Sequence, residues 1–119
     1  MKYEVYTDIR KDAELRIFEF VSIGKFGAIR KRISFMPTSL PYVYNLAFGD
    51  INKDGEIDDI SISDNGDRNK ILATLAKVLD QYTYKYPERF IYFRGSTKER
   101  TRLYRMAIGL NLEELSESF

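Results

Sequence analysis

The sequence predicts an α+β domain whose sheet is largely antiparallel and has about five to six strands. Segments rich in β-branched and aromatic residues fill the first half of the chain, which is typical of strands. A 3.6-residue apolar period then predicts a long amphipathic helix at about residues 68–86. A capping pattern further along predicts a second helix at about residues 97–109. The 119 residues suit one domain, residues 1–119.

The first two strands are predicted at residues 15–23 and 28–35, joined by a Gly-Lys-Phe-Gly turn. Pairing Ile23 with Ala28 puts the bulky apolar residues of both strands on one face, because side chains alternate along a strand. This face contains Phe18, Phe20, Ile29, Ile33 and Phe35. The other face is mixed and carries Ile17, Val21, Ile23, Glu19, Arg30 and Arg32. The first face is therefore predicted to be core.

Residues 42–48 and 56–63 are predicted to form a second hairpin around the Asn-Lys-Asp-Gly turn at 52–55. Asp67 follows a strong breaker and has the properties of an N-cap for the long helix. Pro87 ends this helix, because the residue before a proline is disfavoured in the α conformation. The apolar stripe of the helix contains Ile71, Leu72, Leu75, Val78, Leu79, Tyr82 and Tyr86.

One more strand is predicted at residues 90–94. Ser96 and Glu99 follow it with the spacing of a capping box. From this box a helix is predicted to run through about Gly109, with basic residues on the side opposite its apolar stripe.

The chain contains no cysteine and no histidine. Disulfides, thiolate nucleophiles and cysteine-ligated metal centres are therefore excluded, as is every mechanism that uses an imidazole base. No apolar run approaches the ~20 residues of a membrane helix, and the N-terminus lacks the apolar stretch of a signal peptide. We predict a cytoplasmic protein with no membrane association, no metal and no cofactor.

The formal net charge is +1, but the charges are segregated along the chain. Residues 24–36 sum to +4 and residues 85–105 to +5, whereas residues 50–67 sum to −6. Such asymmetry can present a basic surface to a polyanion, or it can reflect acidic turns that pair with basic strands. In the predicted register of the first hairpin, Glu19 lies directly opposite Arg32.

The two basic segments and their tyrosines predict a surface that binds single-stranded nucleic acid. Cations neutralise backbone phosphates, and tyrosine rings stack on unpaired bases. The predicted phosphate-binding residues are Arg30, Arg32, Arg94, Lys98, Arg102 and Arg105. The tyrosines available for stacking are Tyr92 and Tyr104. Two further tyrosine groups contain Tyr42, Tyr44, Tyr82, Tyr84 and Tyr86.

Other functions stay open. The basic face of the second helix could dock an acidic protein partner, as in a regulatory or toxin–antitoxin pair, and the chain could form a homodimer. A histidine-free ribonuclease could use the cations and the polarised hydroxyl of Arg100, Arg102, Tyr104 and Arg105. Asp58 and Asp59 could help to hold Mg²⁺ only if a bulge turned both to one side. The balance of these observations favours a binding module over an enzyme.

Asp50, Asn52 and Asp54 follow the first half of a calcium-binding loop. The twelfth position of such a loop supplies a bidentate glutamate, but here it is Ser61. The flanking segments resemble strands, whereas a calcium loop of this type joins two helices. The sequence therefore predicts a polar hairpin turn, with Gly55 at positive φ, in place of a metal site.

Several blocks resemble a family of small uncharacterised bacterial proteins found mostly in Bacteroidetes. They are VYNLAFGD (43–50), GEIDD (55–59), DNGD (64–67), LATL (72–75), YP (86–87) and GSTKERTRLYRMAI (95–108). The match spans about residues 15–108, and the last block is its most specific part. The resemblance implies a bacterial, cytoplasmic, single-domain protein and brings no established activity. The order of several strands and a long helix is also similar to one repeat of the Whirly and Pur-alpha class of single-strand nucleic-acid binders.

Overall fold

A computed structural model of the chain describes residues 4–58, 65–93 and 102–105. Within these residues the chain forms seven strands and one helix. They are β1 (Arg10–Lys11), β2 (Ile17–Gly24), β3 (Gly27–Pro37), β4 (Val43–Ile51), β5 (Ile57–Asp58), α1 (Arg68–Lys85), β6 (Phe90–Phe93) and β7 (Arg102–Arg105). The predicted capping box, with Arg94 and Lys98, lies outside the described residues.

The described strands belong to one sheet in the order β1-β2-β3-β4-β6-β7, with β5 paired to the end of β4. Neighbouring strands are antiparallel except β4 and β6, which are parallel because α1 carries the chain back between them. Five of the strands are four residues or longer, and β1 and β5 contribute two residues each. The predicted α+β class and the largely antiparallel sheet are confirmed.

The β2–β3 hairpin has the register that the sequence predicts. Ile23 pairs with Ala28, and Glu19 pairs with Arg32. Gly27 in the turn has a φ of +83°, which glycine adopts without the steric cost that a Cβ would add. The bulky apolar side chains of both strands consequently share the face that packs against α1.

The core lies between this face of the sheet and α1. Phe35 stacks on Tyr82 with ring centroids 3.8 Å apart, and Phe18 meets Phe35 edge-on at 6.2 Å. Aromatic pairs of this kind contribute about 0.5–1.5 kcal/mol beyond the area that they bury. Other buried members of the core are Phe20, Ile33, Leu46, Phe48, Leu72, Leu75, Val78, Leu79 and Ile91.

Burial on α1 extends beyond the predicted stripe. The six consecutive residues 71–76 are all buried. The N-terminal segment explains part of this, because the Tyr6 N–H donates to Thr74 Oγ1 at 2.9 Å and its ring joins the core cluster. The first half of the helix is therefore covered from two sides. None of the helical residues that the structure describes forms a span long and apolar enough to cross a membrane.

Asp67 precedes α1 as predicted, but its side chain does not cap the helix. Its Oδ2 accepts hydrogen bonds from Ser22 Oγ at 2.6 Å and from the Tyr6 hydroxyl. The carboxylate thus ties the start of the helix to β2 and to the N-terminal segment, because tertiary partners compete successfully for its lone pairs.

The residues before α1 are hydrogen-bonded to the β2–β3 turn. Asn65 is 1% exposed, its Nδ2 donates to the Gly27 carbonyl at 2.9 Å, and its Oδ1 accepts from the Phe26 N–H at 2.7 Å. The Lys25 N–H donates to the Asn65 carbonyl at 3.1 Å. Gly24 is required here, because a Cβ would collide with that carbonyl oxygen.

A buried ion pair joins β3 to β4 on the core face. Lys31 is fully buried, and its Nζ contacts Oδ1 of Asp50, the residue directly opposite on β4. A charge this deeply buried is tolerated only when it is paired and hydrogen-bonded. Lys31, one of the four cations of the basic segment 24–36, therefore stabilises the fold.

The predicted second helix is wrong for residues 102–105. They form β7, antiparallel to β6, with Arg105 opposite Phe90 and Arg102 opposite Phe93. Without β7, β6 would present a row of unpaired backbone groups at the edge of the sheet, and the ladder satisfies them. Long-range strand pairing thus overrides the local helical periodicity. The remainder of the predicted helix lies outside the described residues.

Candidate functional site

The candidate site lies at the end of the core where α1 ends and β6 begins. The Tyr86 N–H donates to the Tyr82 carbonyl at 2.9 Å and closes the last turn of the helix. The Arg89 N–H donates a hydrogen bond to the Tyr86 carbonyl at 3.2 Å. The Phe90 N–H donates to the Tyr42 carbonyl at 2.7 Å, which joins this loop to the start of β4. Arg89 is thereby held between the end of the helix and the sheet.

Three tyrosine rings surround the Arg89 guanidinium. Its Cζ lies 3.6 Å from the ring centre of Tyr86 and 4.0 Å from that of Tyr44. Nη1 donates to the Tyr82 hydroxyl at 2.9 Å, and the centre of that ring lies 5.8 Å from Cζ. Each cation–ring contact is attractive because the ring face is negative, and is worth about 0.5–2 kcal/mol. We call these four residues the Arg89 cluster.

The rings of the cluster are themselves fixed. Tyr82 is 1% exposed and stacks on Phe35. The Tyr86 hydroxyl donates to the Glu14 carbonyl at 2.8 Å. The guanidinium consequently has a defined orientation, and little side-chain entropy remains for a ligand to remove.

Burial acts to lower the pKa of Arg89, but the hydrogen bond to Tyr82 and the neighbouring tyrosines outweigh it, and the pKa lies above the ordinary value. Burial raises the pKa of Tyr82, so its phenol is neutral at pH 7. Among residues 4–58, 65–93 and 102–105, Arg89 forms no ion pair with a carboxylate. The rings stabilise the positive charge without neutralising it, and the guanidinium has N–H donors beyond the one that Tyr82 accepts.

Two tyrosines close to the cluster in sequence are exposed, but only Tyr42 adjoins it, because Tyr84 lies on the side of α1 opposite Tyr82 and Tyr86. Tyr42 is 61% exposed and adopts a φ of +62°, and Tyr84 near the end of α1 is 91% exposed. A left-handed backbone conformation at a bulky residue costs on the order of 1–3 kcal/mol, and such strain concentrates at binding sites. Here the hydrogen bond from Phe90 holds Tyr42 in place.

Arg30 and Arg32, which the sequence assigns to phosphate binding, both contact Glu19. Arg32 Nη2 lies 3.1 Å from Oε2 and Arg30 Nη2 lies 3.6 Å from Oε1. Arg32 also donates through Nη1 to the Gly55 carbonyl at 2.7 Å. Its side chain is 22% exposed, whereas that of Arg30 is 66% exposed. Arg32 is therefore paired within the protein, which is the alternative to binding a polyanion. Arg30 is the more accessible of the two arginines.

The structure separates Arg30 and Arg32 from the predicted residues of β7. Arg32 pairs with Gly49 near one end of β4, whereas Arg105 pairs with Phe90, which pairs with Val43 at the other end. With strand spacings of about 4.8 Å and a rise of about 3.3 Å per residue, the backbones of Arg32 and Arg105 are about 20 Å or more apart. The two basic segments are thus not one compact site.

The other predicted residues are placed only in part. Tyr92 is half-buried in β6, between Asn45 of β4 and Leu103 of β7. Arg102 and Tyr104 are residues of strand β7. The remaining candidates, Arg94 and Lys98, lie outside the described residues.

The calcium-like segment is a hairpin turn, as predicted. The Asn52 side chain accepts hydrogen bonds from the N–H groups of Asp54 at 2.9 Å and Glu56 at 3.1 Å, so its oxygen organises the turn. Gly55 has a φ of +80°, as the sequence predicts. Throughout the part of the chain that the structure describes, no group of three or more acidic residues could hold a metal ion.

Arg89 was not among the sequence-predicted site residues. Tyr82 and Tyr86 are four positions apart on α1 and so share one side of the helix. Pro87 stops the helix directly afterwards, which returns the chain toward those rings. This spacing of the tyrosines before Pro87 is the sequence signal from which Arg89 could have been predicted. Tyr44, in contrast, joins the cluster only through the parallel pairing of β4 with β6.

The fold and the cluster define a two-layer α+β protein in which an arginine is held among tyrosines. Residues 2–119 match the model of a family of unknown function, DUF6934, and the chain belongs to this family. No curated protein matches the chain, and no solved structure matches it either. The expected membership of an uncharacterised family is confirmed, whereas bacterial origin and cytoplasmic location stay predictions from the sequence.

Proposed function

We propose that this protein is a single-stranded nucleic-acid-binding module that contacts backbone phosphate through the Arg89 cluster. The observation that carries the proposal is Arg89, a half-buried residue whose guanidinium is stacked between Tyr44 and Tyr86 and pairs with no carboxylate of the described residues. A planar guanidinium can offer two parallel N–H donors to a phosphate, and charge-assisted hydrogen bonds of this kind are roughly twice as strong as neutral ones.

The surroundings of Arg89 favour a nucleic acid over a free anion. Exposed tyrosine rings are stacking surfaces for unpaired bases, and each base stacked on an aromatic ring is worth about 1–3 kcal/mol. Tyr42 lies on the same loop junction as Arg89 and is 61% exposed. The backbone of Arg105 pairs with Phe90, directly after Arg89, so a second predicted cation belongs to the same end of the sheet.

The other residues that the sequence predicts for binding stay candidates, although they do not form one compact site. Arg30 is the more accessible of the two hairpin arginines, and Arg32 contributes mainly by holding Glu19. The further candidates are Arg94, Lys98, Arg102, Tyr92 and Tyr104.

The test is fluorescence anisotropy with a labelled mixed-sequence single-stranded oligonucleotide, measured over a range of salt concentrations. Arg89→Ala should weaken binding at least tenfold and reduce the log–log salt slope by about one, because one phosphate contact is lost. Arg89→Lys should lie between the wild type and the alanine variant, since it keeps the charge and loses the planar fork. Lys77→Ala, which removes one exposed cation from α1, is the charge-matched control and should change affinity less than twofold.

Equal losses in Arg89→Ala and Lys77→Ala would show that only overall charge matters and would reject the cluster as the site. The same would follow from unchanged binding in Arg89→Ala, provided that its circular dichroism spectrum matches that of the wild type. The recovered oligonucleotide is run on a denaturing gel. Shortened product that depends on Tyr104 and Arg105 would favour the ribonuclease alternative.

A second candidate function is a protein interaction through the face of the sheet opposite α1. Its apolar side chains are substantially exposed: Ile17 40%, Val21 40%, Ile23 62% and Met36 54%. Apolar patches on a protein surface often mark interfaces. A homodimer through this face would elute at twice the monomer mass in light-scattering chromatography and would dissociate in Val21→Lys. An acidic partner protein would instead be retained by the wild type and lost in Arg30→Glu.

A further inference from the structure

Asn65 joins the β2–β3 turn to the residues that precede α1, and it is only 1% exposed. Its Oδ1 accepts a hydrogen bond from the Phe26 N–H at 2.7 Å, and its Nδ2 donates to the Gly27 carbonyl at 2.9 Å. Nδ2 also donates to Ser22 Oγ at 3.1 Å. The backbone carbonyl of Asn65 accepts from the Lys25 N–H at 3.1 Å. We call these contacts the Asn65 bridge.

The Asn65 bridge depends on an amide side chain, which offers an acceptor and two donors together. The Phe26 N–H faces the amide oxygen, and the Gly27 carbonyl faces the amide nitrogen. An ionised carboxylate has no donor for that carbonyl. The Ser22 hydroxyl offers it no proton, because Ser22 Oγ already donates to Asp67 Oδ2 at 2.6 Å. A carboxylate at residue 65 would therefore be a buried charge that faces oxygen atoms, which is strongly unfavourable.

The residue after Asn65 makes this amide chemically labile. Asn65 is followed by Gly66, and the other four asparagines of the chain are followed by leucine or lysine. The backbone nitrogen of a following glycine can attack Cγ of the asparagine, because no side chain hinders its approach. A C–N bond forms, ammonia leaves with the transferred proton, and a cyclic imide results. Water then opens the ring at either carbonyl and yields aspartate or isoaspartate.

The fold requires this labile dipeptide and also restrains it. Gly66 has a φ of +81°, which favours glycine over residues with a Cβ. The reaction is intramolecular, so burial of Asn65 does not by itself prevent it. However, Cγ must rotate to within about 3–3.5 Å of the Gly66 nitrogen, and the side chain is held by its hydrogen bonds to the turn. The rate is therefore set by the fraction of molecules in which the Asn65 bridge is open.

We infer that Asn65 is a site of spontaneous deamidation, that opening of the Asn65 bridge sets its rate, and that the product cannot reform the bridge. Aspartate loses the donors to Gly27 and Ser22. Isoaspartate also adds a methylene to the main chain, which displaces the carbonyl that accepts from Lys25. The β2–β3 turn is then released from the start of α1. The inference concerns the hairpin end of the sheet and does not depend on the proposed nucleic-acid binding.

The first test follows deamidation by peptide mass spectrometry of the full-length protein, held at mildly alkaline pH in buffer and in urea. Asn65 should be converted in buffer, and at least about tenfold faster in urea, because the bridge is absent from the unfolded chain. Asn52 and Asn69 are exposed and each is followed by lysine, so they serve as internal controls and should stay unconverted. Equal rates at Asn65 in buffer and in urea would overturn the inference, as would no conversion in buffer or equal conversion of the controls.

Gly24→Ala tests whether the Asn65 bridge controls the rate. A Cβ at residue 24 would lie 1.9 Å from the Asn65 carbonyl oxygen, so the alanine opens the bridge without changing the reacting atoms. This variant should deamidate at least about fivefold faster than the wild type. Gly55→Ala is the matched control, because Gly55 has a similar φ of +80° with no atom within 4 Å of the added Cβ. It should leave the rate at Asn65 unchanged.

The circular dichroism spectrum of Gly24→Ala shows whether the variant is folded. If it is not, Ser22→Ala replaces it, since this change removes one acceptor of Nδ2 and should accelerate the reaction at least about twofold. A folded variant with a weakened bridge and the wild-type rate would overturn the inference.

Asn65→Asp, one of the two products, tests the structural consequence by amide hydrogen exchange. The amides of Lys25 and Phe26 should exchange at least about fivefold faster than in the wild type, because the turn is no longer held. Asn69→Asp makes the same charge change at an exposed position and should leave both amides unchanged. If Asn65→Asp does not fold, aged wild-type protein gives the same measurement, after ion exchange has isolated the species with one additional negative charge. Wild-type exchange at both amides in the product would overturn the inference.

Discussion

Cations at the two ends of the sheet are stabilised by different neighbours. At the β2–β3 hairpin, Arg30 and Arg32 share the carboxylate of Glu19. At the other end, Arg89 lies among tyrosine rings and pairs with no carboxylate of the described residues. An ion pair neutralises the cation, whereas an aromatic ring stabilises it and leaves its charge for a further partner. The net charge of a sequence segment therefore does not show which of its cations is available to a ligand.

The largest expected effect concerns the buried cation of the hairpin, Lys31. Asp50→Ala should lower the free energy of unfolding by about 3–5 kcal/mol, because an uncompensated charge would remain in the core. Urea denaturation checks this, and the exposed Asp80→Ala should stay within about 0.5 kcal/mol of the wild type. The double variant Lys31→Met, Asp50→Leu should recover most of the loss. A small effect of Asp50→Ala would mean that the pair does not anchor β3 to β4.

At the opposite end, Arg89→Ala should lower the free energy of unfolding by about 1–3 kcal/mol, since two close cation–ring contacts are lost. Arg89→Lys should lose less, because an ammonium keeps the attraction but not the planar stacking. Thermal and urea unfolding measure both variants. If Arg89→Ala is as stable as the wild type, the rings do not hold the guanidinium and the comparison between the two ends fails.

Tyr82 of the cluster predicts a loss of stability in alkali. The pKa of Tyr82 is raised in the folded protein, so the folded state holds this proton more tightly than the unfolded state. That contribution is fully present below the unfolded pKa of about 10 and is lost as the pH rises through the folded pKa. Tyr82→Phe should cost about 1 kcal/mol at pH 8 through the lost hydrogen bond and should reduce the alkaline decline.

The control for that prediction is Tyr84→Phe, because the Tyr84 side chain is 91% exposed. It should leave both the stability at pH 8 and the alkaline decline unchanged. Unfolding free energies at pH 8 and about pH 10.5 separate the two variants. An identical decline in Tyr82→Phe and in the wild type would assign the alkaline sensitivity elsewhere.

The smallest effect is expected for Glu19→Gln. Removing this carboxylate should cost at most about 1 kcal/mol of stability, since its ion pairs are partly exposed. It should also release the arginines of the hairpin and strengthen binding to single-stranded oligonucleotide by about two- to threefold, with a steeper salt slope. Anisotropy measures both quantities. A weaker affinity in Glu19→Gln would show that the ordered arginines, and not their free charge, contribute to binding.

The β2–β3 hairpin and α1 could be predicted from the sequence because their signals are local. Alternation and a glycine turn set the pairing of Ile23 with Ala28, and a sustained apolar period together with Pro87 set the helix. The residues of β7 also have a local helical pattern, but the unpaired edge of β6 outweighs it. The parallel pairing of β4 with β6 joins segments far apart in the chain, and no local pattern encodes it.

The candidate site was less predictable than the fold. Tyrosine groups and basic segments are visible in the sequence, but exposure and pairing depend on which strands become neighbours. Arg32 is anchored by Glu19 and by a turn carbonyl, whereas Arg89 meets Tyr44 only because β4 and β6 pair. A side chain's availability is thus a property of its tertiary surroundings.

The sequence by itself determined an α+β chain without imidazole or thiol chemistry, a β2–β3 hairpin of known register and a helix between Asp67 and Pro87. These features follow from composition, periodicity and turn residues, which act over a few positions along the chain. The tertiary structure alone decided that β7 is a strand, that Lys31 and Arg32 serve the fold, and that Arg89 keeps its charge among tyrosines. Long-range pairing brings these groups together, and burial then sets the energy of each charge.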